Sequence, residues 1–118
     1  NMATNKDRFD KSRDQYISHK LYLERRAGNR YYNLGYKMYE GITSTPQTIL
    51  PTLSNLKQTI VYFNIALLFN QNDIDADTRK KDLCEKYGPT GTIQNVFNQN
   101  NINTWYNEAR QEFKNCRC

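Results

Sequence analysis

At 118 residues the chain has the length of one domain, residues 1–118. Its 37% hydrophobic content allows only a thin core, in which the 13% of aromatic residues, nine of them tyrosines, must supply much of the buried area. The net charge of +5 suits anionic partners or simply aids solubility, and the longest apolar run, "IVYFNIALLF", is too short for a span of roughly 20 residues, so no membrane partner is expected.

The first 40 residues read as one long amphipathic helix. Phe9, Tyr16, Leu23, Ala27, Leu34 and Met38 recur at sevens and fours, which sets them on one face. Gly28 is the weak point, since glycine costs about 1 kcal/mol relative to alanine inside a helix, and Gly41 is a natural stop. "ITSTP" reads as a loop, and Pro46 and Pro51 each offer a helix start. Leu53, Leu56, Ile60, Phe63 and Leu67 then step by three and four. Leu50, Val61, Ile65, Ala66 and Leu68 widen that stripe, which predicts the central helix of a bundle.

"DIDAD" supplies a cap, at Asp73 or Asp75, for a third helix that ends at Gly88–Pro89. "TGTIQNVF" reads as a short helical turn carrying Ile93, Val96 and Phe97. A last helix runs from Ile102 or Asn103 to Asn115, with Trp105, Ala109 and Phe113 spaced by four. No segment alternates as a strand does. The fold class is all-α: a compact bundle of four to five helices with a long N-terminal helix and one disulfide.

The cysteines number three: Cys84, Cys116 and Cys118. Zinc through these three and His19 lacks the usual Cys-x2-Cys knuckle, and a thioredoxin-type site needs Cys-x-x-Cys at a helix start, so no metal is expected. Reduced cysteines in a cytosolic protein are one reading. The other is a disulfide from Cys84 to Cys116, with Cys118 as the alternative partner. A Cys84–Cys116 bond would close a loop of about 30 residues, worth roughly 3–4 kcal/mol, and would imply a secreted protein. The opening "NMATNKDRFD" has no apolar signal core, as is also true of a chain whose signal has been removed.

No constellation for catalysis stands out. His19 reads as a solvated helix residue. "GPTG" lacks the lysine of a phosphate loop, and "DIDAD" lacks the glycine and closing glutamate of a calcium loop. No enzymatic activity and no cofactor are expected. The basic clusters "ERRAGNRYY" and "TRKKD" are more telling. Arg25, Arg26, Arg30, Arg79, Lys80 and Lys81, with Tyr32 and Tyr36 interleaved, are the candidate partner-binding residues. Exposed tyrosine and arginine together favour protein interfaces, and the same residues could serve heparin, nucleic acid or another polyanion. A third reading is a small-ligand carrier, with a cavity lined by Phe63, Leu67, Trp105 and Phe113.

The stretch "YLERRAGNRYYNLGYKMYEGI", Tyr22 to Ile42, with the late cysteines Cys84, Cys116 and Cys118, is similar to the anophensin/albicin family of anopheline mosquito salivary proteins. That resemblance implies a secreted, non-enzymatic inhibitor of host defence and haemostasis, and a monomer is expected. It implies binding either to the alternative-pathway complement C3 convertase, the complex of C3b with Bb, or, as an anticoagulant of the contact system, to factor XII or kininogen.

Overall fold

The computed structural model describes the backbone of residues 2–116 and the side chains of residues 10–116. It contains four helices: α1 (Met2–Thr43), α2 (Leu53–Phe69), α3 (Ile74–Tyr87) and α4 (Gln99–Cys116). No strand occurs among the described residues. The expected all-α class is therefore present, with four helices.

α1 runs unbroken through Gly28 and past Gly41 to Thr43. The glycines are contact points with α2. A Cβ at Gly35 would meet the Phe63 ring at 2.8 Å, and one at Gly28 would meet Phe69 Cβ at 3.2 Å. The face that packs is accordingly Gly28, Tyr31, Tyr32, Gly35, Tyr39 and Ile42. This corrects the stripe expected from hydropathy. Tyr16 and Leu23 are exposed, and Ala27, Leu34 and Met38 are only half-buried. Phe9 lies outside the described side chains. Gly28 and Gly35 each follow a residue of the expected stripe by one position, a rotation of about 100°. Glycine carries no apolar signal, so the periodicity pointed about a quarter turn away from the true contact.

α2 is the central helix. α1, α3 and α4 all pack on it, and Leu56, Ile60 and Phe63 of the expected stripe are wholly buried. Burial of side chains of this size contributes about 1.5–3 kcal/mol each. Thr52, after Pro51, caps the helix and accepts from Asn55 N at 3.2 Å. Pro46, joined to Thr45 through a cis peptide bond, lies in the preceding loop rather than at a helix start. Asn64 is also in the core, 1% exposed, with neither amide atom hydrogen-bonded.

Asp73 caps α3, its Oδ1 accepting from Ala76 N at 3.0 Å, while Asp75 and Asp77 place negative charge in the first turn. The segment after Gly88 is not the helical turn its sequence suggested. It folds back instead over the end of α3: Thr92 N donates to Glu85 O, Ile93 N to Lys86 O and Val96 N to Tyr87 O. Those are carbonyls that the helix end leaves without partners, so the strap completes α3. It also delivers Phe97 into the core, 5.0 Å from Trp105 between ring centroids. α4 starts three to four residues earlier than expected because Asn98 and Asn101 cap it reciprocally, each backbone N–H donating to the other's Oδ1 at 3.0 Å.

Candidate functional site

The basic and tyrosine residues singled out in the sequence fall on separate faces. Tyr32, Tyr36 and Tyr39 recur at four and three along α1 and so share a side. On α3, Arg79 reaches across to them. Its guanidinium carbon lies 4.9 Å from the Tyr36 ring centroid and 5.9 Å from those of Tyr32 and Tyr39. Arg79 Nη1 also approaches Asp75 Oδ1 at 3.5 Å, while its Nε is buried without a hydrogen-bond partner. Three aromatic faces thus supply much of what compensates the desolvated charge. Tyr39 donates to Asp82 Oδ2 at 2.7 Å, and Lys86 pairs with the same oxygen at 3.0 Å. Burial first, then the Asp82 hydrogen bond, pushes the Tyr39 hydroxyl up to about 12. Burial also raises Tyr32, with Arg79 opposing. This cluster is the joint between α1 and α3. Asp82 was not among the candidates, although the four-and-three spacing of the tyrosines was readable.

Arg26 and Arg30 lie on another side of α1. With Ala27, Leu34, Lys37 and Cys116 they line an open groove of about 930 Å³. It continues into a second hollow of about 510 Å³ between α1 and α4, floored by Val61, Tyr62 and Ile65 of α2. Arg30, Tyr31 and Leu34 belong to both. The α1 wall is basic, and the α4 wall carries Glu108 and Glu112, of which Glu108 pairs with Lys57 at 3.0 Å. The result is a long cleft with aromatic and aliphatic residues at its base and opposite charges on its two sides. Arg26 stands 5.7 Å over the Tyr22 ring at one end.

The remaining candidates join neither group. Arg25 borders a small hollow with Leu21, Gly28, Phe69 and Asp73. Lys81 pairs with Asp77 at 2.8 Å on α3. Lys80 edges a cavity of about 270 Å³ with Asn64, Leu67, Leu68, Gln71 and Tyr106. Of the residues proposed to line a ligand cavity, only Leu67 borders that one. Phe63 faces Tyr32 and Tyr39, Trp105 packs on Phe97, and Phe113 meets Phe69 edge-on at 4.8 Å. Their spacing of three and four along separate helices could not reveal that they face different neighbours.

The expected Cys84–Cys116 disulfide is absent: both cysteines are free. α3 and α4 pack on α2 and not on each other, so the helices carrying the two thiols do not meet. Cys116 Sγ lies instead 2.9 Å from the Tyr31 hydroxyl, across the end of the α1–α4 cleft. That hydrogen bond, then burial, pushes Tyr31 up to about 12. Burial raises the Cys84 thiol, with Lys80 opposing. Cys118 lies outside the described residues. No group of three or more His, Cys, Asp or Glu able to hold a metal occurs among the described residues, and no helix there is long and apolar enough to cross a membrane. His19 stacks on Tyr22 at 6.3 Å. Comparison with protein families, curated proteins and solved structures found no match to this chain.

Proposed function

We propose that the chain is a secreted, non-enzymatic inhibitor that binds the alternative-pathway C3 convertase, C3b with Bb, through the α1–α4 cleft. The observation that carries this reading is the cleft itself. Arg26, Arg30 and Lys37 stand along one wall beside Tyr31 and Tyr62, the residue types that dominate protein interfaces. The specific target comes from the resemblance of Tyr22–Ile42 to the anophensin/albicin salivary family, and that segment includes the whole basic wall. The packed glycine contacts of α1 on α2 hold the wall in place, so little ordering is lost on docking. The net charge of +5 favours fast encounter with an anionic surface.

The test is alternative-pathway activity of serum, with calcium chelated and magnesium supplied, titrated with the purified chain. Inhibition that spares the classical pathway supports the reading. No inhibition of complement, with prolonged clotting through factor XII or kininogen, moves the target to the contact system. Binding to heparin alone, lost steeply with salt, replaces the reading with a polyanion binder.

A further inference from the structure

α3 and α4 both pack on α2 but not on each other, and the gap between them holds the hollow of about 270 Å³. Asn64, Leu67, Leu68 and Gln71 of α2 form its floor. They stand at i, i+3, i+4 and i+7, one face of the helix. Lys80 of α3 and Tyr106 of α4 rise on either side. The α1–α4 cleft lies elsewhere. Its floor residues Val61, Tyr62 and Ile65 sit about a third of a turn away around α2. Glu108 and Glu112, on its α4 wall, occupy the other flank of α4 from Tyr106.

Two groups that the fold leaves unsatisfied meet at this hollow. Asn64 is 1% exposed, and neither atom of its amide has a partner. An amide shut away from water with nothing to bond is a cost that packing alone does not explain. Lys80 is half-buried, and it is the one cation of α3 outside an ion pair among the described residues. Arg79, Lys81 and Lys86 hold Asp75, Asp77 and Asp82. No carboxylate lines the hollow among the described residues.

The lining defines a ligand. One unneutralised ammonium calls for one negative charge. Leu67, Leu68 and the ring of Tyr106 call for an apolar, flat body. The Asn64 amide both donates and accepts, and a hydroxyl answers both. At roughly 30 Å³ for each water-sized group, the volume holds about nine of them, the size of one aromatic ring with two small substituents.

We propose that this hollow binds a small hydroxylated aryl carboxylate. The carboxylate meets the Lys80 ammonium, the ring lies between Tyr106 and the two leucines, and the hydroxyl bonds the Asn64 amide. Side chains on a helix lean toward its N-terminus, so Leu67 and Leu68 lean over Asn64 and turn aside as the ligand enters. The site is independent of the convertase reading.

Nuclear magnetic resonance of the full ¹⁵N-labelled chain tests it, with 4-hydroxybenzoate as the probe. The expected result is saturable movement of the Leu67, Leu68, Lys80 and Tyr106 backbone amides and of the Asn64 side-chain amide, with a dissociation constant below about 1 mM. The uncharged 4-hydroxybenzamide should bind at least about fivefold more weakly, and benzoate, which lacks the hydroxyl, at least about threefold. K80Q, a change at the surface, should remove the preference for the carboxylate. N64L should abolish binding while its urea midpoint stays at or above that of the parent. No saturable movement at these residues overturns the proposal, as does movement centred on Tyr31 and Tyr62 of the cleft. Equal binding of the benzamide, or a K80Q or N64L chain that binds like the parent, overturns it too. Equal binding of benzoate overturns the Asn64 contact.

Discussion

The hydroxyl of Tyr39 donates to Asp82 Oδ2 across 2.7 Å, joining α1 to α3 beside the guanidinium of Arg79. Tyr39→Phe should cost about 1 kcal/mol at neutral pH, because Asp82 keeps Lys86 at 3.0 Å and is not left alone. Urea unfolding followed by helical circular dichroism measures it.

The same contact sets an alkaline limit. Tyr39 and Tyr31 are both pushed up to about 12 in the folded chain, above the value of about 10 in an unfolded one. A raised value means that the fold prefers the protonated hydroxyl. The stabilisation is therefore complete below about pH 10 and fades as pH climbs from there to about 12. Stability measured across that range should fall, and the fall should be shallower in Tyr39→Phe. A slope unchanged by the substitution would show that the raised value of Tyr39 contributes nothing.

Gly35→Ala tests the close approach of α1 to α2. The added Cβ would lie 2.8 Å from the ring of Phe63, which is fully buried and has nowhere to go. Overpacking of about 1–3 kcal/mol should outweigh the gain in helix propensity of about 1 kcal/mol. Gly28→Ala, at 3.2 Å from the half-buried Phe69, should stay within about 1 kcal/mol of the parent. If Gly35 were only a soft spot in a long helix, Gly35→Ala would stabilise.

These glycines also show what the sequence could convey. The α2 stripe was legible from Leu56 onward, because its residues are apolar and the helix is covered on three sides, whereas Leu53 in the first turn and Leu50 before the helix are exposed. The caps at Asp73 and Gly88 were legible because they act locally. The packed face of α1 was not, since a contact made by absent side chains leaves no hydropathy mark. The α1–α4 cleft was only half legible. Arg26 and Arg30 stood out by charge, but Tyr62, Glu108 and Glu112 come from other helices, and no spacing in one helix reports where another lies. The cysteine pairing failed for the same reason: the interposed α2 separates α3 from α4.

Asn64 offers a test of the core. Its amide is buried with no partner for either polar atom. Asn64→Leu, branched like asparagine but larger, removes that desolvation cost, and since Asn64 borders the hollow by Leu67 and Tyr106 that can take the added volume it should stabilise by about 1 kcal/mol in urea unfolding. Destabilisation would mean that the amide holds a partner in solution.

Cys84 and Cys116 are free, so reductant should leave the thermal midpoint where it is. Cys84, half-buried and with its thiol raised by burial, should react with a thiol reagent more slowly in the folded chain than in the unfolded one. A midpoint lowered by reductant would restore a stabilising disulfide.

The most direct measurement compares two charge reversals in magnesium-supplemented, calcium-chelated serum. R26E/R30E alters the basic wall of the cleft, and K80E/K81E alters α3 on the other side of α2. The account predicts that R26E/R30E loses at least about tenfold in inhibitory potency, equivalent to about 1.4 kcal/mol of binding, while K80E/K81E stays within about twofold of the parent. Equal losses, or a loss confined to K80E/K81E, would contradict the cleft as the site that meets the convertase.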